Sequence, residues 1–191
     1  MLAFDPEAHV YSADGVAYPS VTQIVSRVIP RQHYADEWYL RRGSMVHKAV
    51  AMLLHGTLDF DSVDPRIAGY VNAAARAVSE NAGDFAKDME VEMACHHPVL
   101  RYAGTYDFLF GTSLWDWKTG DDPQTEIQLG GYVALIEPRR SVKSCSAVEL
   151  HEDGTYSMKT FKPSRCKALF MAALSIYGWL EANKINMKKE Q

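Results

Sequence analysis

Cysteine is scarce. Cys95, Cys145 and Cys166 are the three in 191 residues, and they stand far apart. An odd, scattered set is no disulfide framework, and the absence of any CxxC pair excludes the ligand spacing of a zinc ribbon. The thiols are expected to be reduced, as in a cytosolic protein. Long apolar runs are also missing. Stretches such as Ala49 to Leu54 fall far short of the ~20 residues that span a bilayer, so no membrane association is expected. The opening Met1-Leu2-Ala3-Phe4-Asp5-Pro6-Glu7 has no basic region followed by an apolar one and no arginine, which argues against a secretory signal or a transit peptide. No stretch rich in Pro, Gly or Ser marks a linker, and no repeat is visible. A basic excess is lacking too. The formal net charge is -4, which is not the footprint of a general nucleic-acid coat but leaves room for an acidic site beside a local basic groove.

What is present suits a globular domain: 47% apolar and 23% charged residues in a length that fits one core. The chain is expected to form a single domain over 1–191, with an N-terminal hairpin and short helix over 1–33, a core over 34–182 and a polar tail over 183–191. His9 to Tyr18 predicts a hairpin around Asp14-Gly15. Ser20 and Gln23 have the spacing of a capping box for a short helix that Pro30 ends. Tyr34 to His55 predicts a helix with Val46, Ala49, Val50, Leu53 and Leu54 as its apolar stripe, and Gly43 as a weak point that could divide it. Asp64 and Pro65 start a second helix that runs to Asn81, with Gly83 as its stop.

The pattern then changes. Met89–Cys95, Tyr102–Phe110 and Leu114–Trp117 predict strands. Gln124–Leu135 predicts a helix closed by Pro138. Cys145–His151 and Tyr156–Phe161 predict a hairpin around Asp153-Gly154, and Pro163–Leu180 a closing amphipathic helix. The order implies an α/β fold with a mixed central sheet flanked by helices.

The informative stretch is Gly104-Thr105-Tyr106-Asp107 followed by Asp116-Trp117-Lys118. Residues two apart on a strand share a face, so Asp116 and Lys118 point the same way. Asp107 lies on the preceding strand. An even turn such as Gly111-Thr112 would set it opposite Asp116, whereas an odd turn would need a bulge to do so. Two carboxylates and an ammonium on one face are costly to bury unless paired or bound to a cation. A hard divalent ion suits them, and magnesium prefers such oxygen ligands. A bare DxK is weak, because a solvated ion pair at a strand edge is by far its commoner explanation.

Further motifs in fixed order carry a resemblance. They are Tyr18-Pro19-Ser20-Val21-Thr22-Gln23-Ile24, Arg42-Gly43 with His47 on a helix, Glu92 on the first core strand, Gly104-Thr105-Tyr106-Asp107, Asp116-Trp117-Lys118-Thr119-Gly120, and Gln128 with Tyr132 on the next helix. Over about Tyr18 to Tyr132 the chain resembles the RecB-like branch of the PD-(D/E)XK nucleases, which includes phage exonucleases and the mitochondrial genome-maintenance exonuclease. The resemblance implies a restriction-endonuclease-like αβββαβ core. It implies catalytic roles for Asp107, Asp116 and Lys118, and a metal site of His47, Asp107, Asp116, the Trp117 carbonyl and Glu92. Mg2+ is the implied ion, with Mn2+ able to substitute. Glu90, on the same strand face, is an alternative to Glu92. Gln128 and Tyr132 would position DNA or support the site.

Arg41 and Arg42 form a candidate phosphate patch with Lys48, and Lys159, Lys162, Arg165 and Lys167 form a second cluster. Solvated faces are the ordinary reading of both. Trp38, Tyr39 and Tyr102 could stack on bases or belong to the core. His96, His97 and His151 lack partners at ligand spacing. The CRISPR adaptation exonucleases of the same group carry a four-cysteine iron–sulfur cluster, and three scattered cysteines predict none here. The implied activity is a Mg2+-dependent deoxyribonuclease, an exonuclease of recombination, repair or phage DNA processing in the cytoplasm of a bacterial cell or phage-infected host. DNA is the substrate, and a recombinase, single-strand-binding protein or helicase is the kind of partner implied. A structure-specific or single-strand endonuclease and an inactive DNA-binding module are the alternatives.

Overall fold

A computed structural model describes residues 2–5, 10–29, 37–83 and 89–185. His9 at the start of the expected hairpin, Pro30, the first residues of the helix expected from Tyr34, and the tail beyond 185 lie outside the described residues.

The chain opens with a three-stranded antiparallel sheet, β1 (Leu2–Asp5), β2 (Val10–Ala13) and β3 (Val16–Tyr18). Asp14 and Gly15, with φ of 51° and 78°, turn the β2–β3 hairpin as a type I′ pair. Strand β1 was not legible, since four residues without a turn signal at either end carry little pattern. The Pro19 carbonyl accepts from the Ala103 amide, which ties this small sheet to the main one.

Helix α1 (Val21–Val28) starts at Ser20, whose hydroxyl accepts from the Gln23 amide while the Gln23 side chain accepts from the Ser20 amide. Helix α2 (Glu37–Leu54) runs through Gly43 without a break. The glycine does not divide the helix, because packing of Val46, Ala49 and Val50 in the core outweighs its low propensity. Helix α3 (Pro65–Asn81) begins at Asp64, which accepts from the Arg66 amide, and has proline in its first turn.

The main sheet has the order β4-β5-β6-β7-β8. Its strands are β4 (Glu90–His97), β5 (Tyr102–Phe110), β6 (Ser113–Lys118), β7 (Ser144–Leu150) and β8 (Tyr156–Phe161). Neighbours are antiparallel except β6 and β7, which are parallel and joined through α4 (Thr125–Ile136). Helix α5 (Pro163–Ala182) closes the chain. Helices α1, α4 and α5 cover one face of the sheet around Tyr102, Tyr106, Leu114 and Cys145. Helices α2 and α3 cover the other around Phe108, Phe110, Trp115, Trp117 and Val148. The mixed sheet flanked by helices is the α/β architecture expected.

Strand β5 changes phase along its length. Tyr102 and Tyr106 enter the first core, whereas Phe108 and Phe110 enter the second. All four would share one face of a regular strand. The shift falls at Asp107. Strand β4 breaks at the same rung: Val91 pairs with Phe108 and Met93 with Tyr106, and between them Glu92 has a φ of 48°.

Glycines let α4 lie deep. A Cβ at Gly130 would meet the Cys166 carbonyl oxygen of α5 at 1.9 Å, and one at Gly131 would meet Val21 of α1 at 2.7 Å. Gly130→Ala is therefore expected to cost about 1–3 kcal/mol by forcing α4 and α5 apart. At Gly43 a Cβ would meet Thr119 Oγ1 at an ordinary 3.9 Å, so Gly43→Ala is expected to stabilise by about 0.5–1 kcal/mol. Urea unfolding of both variants checks the contrast.

Candidate functional site

The β5–β6 turn is Gly111-Thr112, with Gly111 at a φ of 52°. Phe108 pairs with Trp115, and the same register carried one rung further sets Asp107 opposite Asp116. The backbone ladder stops short of that rung. Asp107 Oδ2 instead accepts from the Trp117 amide at 2.7 Å, so a side chain takes the bond a strand would have made.

Around this rung five ionisable groups gather. Asp107 and Asp116 are buried, at 6% and 1% exposure. Asp107 Oδ1 faces His47 Nδ1 of α2 at 3.4 Å, and Glu92 Oε1 of β4 lies 3.9 Å from the same nitrogen. His47 Nε2 lies 2.9 Å from the Trp117 carbonyl oxygen, which can only accept, so this nitrogen carries a proton. Nδ1 is left facing carboxylates. Lys118 Nζ contacts Asp116 Oδ2 at 2.6 Å and donates to Gln128 Oε1 at 3.2 Å. Gln128 Nε2 in turn donates to the Tyr132 hydroxyl at 3.0 Å, one helical turn along α4.

Burial disfavours charge on His47, but the Asp107 carboxylate outweighs it and raises the imidazole to about 9. For Asp107 burial is likewise overcome, here by His47, and its pKa is lowered. Burial dominates for Asp116 and raises it to about 6 against the pull of Lys118. Glu92 is raised to about 7 by burial and by Asp107. Lys118 loses by burial and gains more from Asp116 and Asp107, so its pKa is raised.

The donor set fits a divalent cation. His47, Glu92 and Asp107 each offer an atom within 4.8 Å of the others. Asp116 Oδ1 is buried without a hydrogen-bond partner. An unsatisfied carboxylate oxygen is costly in a low-dielectric interior and marks a place for a cation. The Trp117 carbonyl orients His47 through Nε2–H, as the outer partner of a ligating imidazole does. Asp116 lies outside that three-residue group, with its Oδ2 against the Lys118 ammonium. Glu90 does not replace Glu92. It pairs with Arg139 and Arg140 and is held at about 2, by Arg139 first, on the far side of Tyr106.

The five groups lie at or beside a cavity of about 530 Å³ walled by Phe4 and Tyr11 of the small sheet, Tyr39, Leu40 and Arg42 of α2, and Gln128 and Tyr132 of α4. Phe4 and Tyr11 stack at 4.4 Å, and the Tyr11 hydroxyl bonds Thr105 Oγ1 at 2.8 Å. This wall, and the Thr119 carbonyl that accepts from Arg42 at 2.6 Å, escaped sequence reasoning. The inward alternation of Tyr11 and Ala13 was the available signal. Tyr102 is core, fully buried with its hydroxyl on the Gly131 carbonyl, and takes no part in stacking on a ligand. Trp38 packs on the second core under Arg66, whereas Tyr39 is 47% exposed at the cavity mouth. Arg41 is exposed. In the late basic cluster Arg165 pairs with Glu126, Lys167 with Glu137, and Lys159 lies over Phe161. No helix among the described residues is long and apolar enough to cross a membrane.

No protein-family model matches the chain, and no curated protein matches it in sequence. Solved structures do match. LHK-Exo in complex with dAMP aligns with a TM-score of 0.50 at 17% identity, over 87% of this chain and 89% of that one. A second structure of LHK-Exo, an alkaline exonuclease from Laribacter hongkongensis, aligns with a TM-score of 0.44 at 14% identity over 87% and 93% of the two chains. The likeness to the first establishes a shared fold.

The cluster makes metal-free stability depend on pH. His47 is raised from 6.5 to about 9, so the stability it contributes is complete below pH 6.5 and is lost as pH rises to 9. Glu92, raised to about 7, loses its contribution between pH 4.5 and 7. In EDTA the melting temperature is expected to fall from pH 6.5 to 9, and His47→Gln should flatten that slope. Added Mn2+ should raise the melting temperature more at pH 8.5 than at pH 6, which a thermal-shift series tests.

Proposed function

We propose that this chain is a nuclease that hydrolyses DNA phosphodiester bonds with a divalent ion, Mg2+ foremost, held by His47, Glu92, Asp107 and Asp116. The observation that carries the reading is the buried rung at which Asp107 and Asp116 stand opposite each other with Lys118 beside them. The partnerless Asp116 Oδ1 supports it, as does the fold shared with an exonuclease crystallised with dAMP. When bound, such an ion supplies charge stabilisation to the phosphoryl group and acidifies water.

The chain's own residues do the rest. Lys118, protonated and largely enclosed, puts a fixed positive charge where phosphate charge grows, in a site with little water to screen it. Gln128 and Tyr132 form the bonded chain that aims its ammonium. His47, fixed through the Trp117 carbonyl, keeps its other nitrogen turned toward the carboxylates. Arg41, exposed on α2 between the cavity-lining Leu40 and Arg42, is the outer phosphate contact in this reading. We assign the activity to exonucleolytic processing of DNA in recombination or repair, the setting in which a recombinase, single-strand-binding protein or helicase would act with it.

The test is digestion of 5′- and 3′-labelled linear DNA beside closed circular DNA, with Mg2+, Mn2+ or EDTA. Cutting is expected on ends, with either metal, and not in EDTA; cleaved circles would favour an endonuclease. Asp116→Asn and Lys118→Ala are each expected to lower the rate by at least about 100-fold with the protein still folded. In the metal-free protein Asp116→Asn should leave the melting temperature unchanged or raise it, whereas Lys118→Ala should lower it by leaving Asp116 without its ammonium. Either variant cutting at the wild-type rate would sink the assignment. Arg41→Ala should weaken binding and reduce the slope of log K against log salt by about one unit.

A further inference from the structure

Two side chains of α2 reach the backbone on either side of Lys118. His47 Nε2 bonds the Trp117 carbonyl at 2.9 Å, and Arg42 Nη2 donates to the Thr119 carbonyl at 2.6 Å. Carbonyls two apart on a strand point the same way, so one helix can hold both. This edge of β6 has need of such donors. Pairing with β5 ends at Phe108–Trp115, while on its other edge β6 stays paired with β7 as far as Lys118–Glu149. Beyond Trp115 the β5 side of the strand is open, and α2 fills it.

Arg42 is built for a fixed task. Its guanidinium lies 4.8 Å from the centre of the Tyr39 ring and 5.1 Å from that of Tyr70. Nε is buried with no hydrogen-bond partner. A guanidinium stacked on rings has lost most of its freedom, and it gives a planar donor in one direction. The backbones are close enough for the bond to be short. A Cβ on Gly120 would lie 4.0 Å from Arg42 Nη2, and one on Gly43 would lie 3.9 Å from Thr119 Oγ1. As part of a basic patch with Arg41 and Lys48, Arg42 is a candidate phosphate contact by sequence, but among the described residues its hydrogen bond goes to the chain itself.

We propose that Arg42 is a positioning residue: with His47 it clamps the Trp117–Thr119 backbone onto α2 and so fixes where Lys118 holds its ammonium. The consequence for turnover rests on the nuclease reading of Lys118; the clamp does not. A small displacement of a positioned group costs orders of magnitude in rate while leaving substrate affinity nearly untouched.

The test compares wild type, Arg42→Ala and Arg42→Lys in the full chain. kcat and KM are measured on a labelled single-stranded oligonucleotide with Mg2+ at several salt concentrations, with amide hydrogen exchange of residues 118–121. Arg42→Ala is expected to lower kcat about 10- to 100-fold, leave KM and the salt slope within twofold, and speed exchange at 118–121. Arg42→Lys keeps the charge but not the planar stack, and it should retain most of the kcat loss. If Arg42→Ala does not fold, the lysine variant decides by the same readouts. A raised KM and a flatter salt slope, with kcat and exchange at wild-type values, would make Arg42 a phosphate contact and overturn the proposal. If the wild type cuts nothing, the nuclease reading fails, and exchange at 118–121 alone still decides the clamp.

Discussion

The Trp117 amide donates to the side chain of Asp107 where a strand partner would ordinarily stand, and the geometry of the site follows from that bond. It ends the β5–β6 ladder one rung early and opens the strands at the point where two acids face each other. It fixes the Asp107 carboxylate so that its second oxygen points at His47. It coincides with the change of phase in β5 and with the left-handed backbone of Glu92 across the pair. A non-glycine residue in that conformation costs of order 1–3 kcal/mol and persists where surrounding structure over-determines it. Here two well-packed cores, one on each face, hold the rung from both sides.

The charges explain why such a rung is worth keeping. Glu92, Asp107 and Asp116 face one ammonium, Lys118, and one imidazole that is charged only while protonated. With all three carboxylates ionised and His47 protonated the cluster carries one excess negative charge, and without that proton it carries two. The raised pKa values of His47, Glu92 and Asp116 all say the same thing: the metal-free protein retains protons to offset excess negative charge. A divalent cation performs that task better than protons do, because it satisfies several oxygens at once and does not leave as pH rises.

Much of this was legible. Strand and helix boundaries from Asp64 onward followed from caps, turn pairs and apolar period, because Asp64-Pro65, Asp153-Gly154 and Pro163 are local signals that act without help from the rest of the chain. Parity required an even turn such as Gly111-Thr112, or a bulge, if Asp107 and Asp116 were to face each other, and the two-residue turn is the one found. What stayed hidden was non-local. Gly43 reads as a helix breaker until the core under α2 is known. Glu90 and Glu92 are equivalent on paper, and only Arg139 and Arg140, about fifty residues away in sequence, separate them. Arg42 reads as a free cation until Thr119, Tyr39 and Tyr70 enclose it. Local chemistry specifies elements, whereas the commitment of a charged side chain depends on what the fold brings to it.

The site is thus assembled from two kinds of element. The acids and the lysine come from β5 and β6, inner strands buried on both faces, and from β4 at the edge of the sheet beside them. The cavity beside them has its floor on that sheet and on Gln128 and Tyr132 of α4, and its outer wall elsewhere: Phe4 and Tyr11 on the small N-terminal sheet, and Tyr39 and Leu40 on the first turns of α2. A sheet packed on both faces tolerates wide sequence change as long as its packing is kept, which is how a fold can persist at 17% identity. Wall elements carry fewer buried contacts and are freer to differ. The rung's charges thus sit on the rigid part of the molecule, and the shape of the opening beside them is set by β1, β2 and α2, whose exposed Tyr39 and Leu40 stand at the mouth.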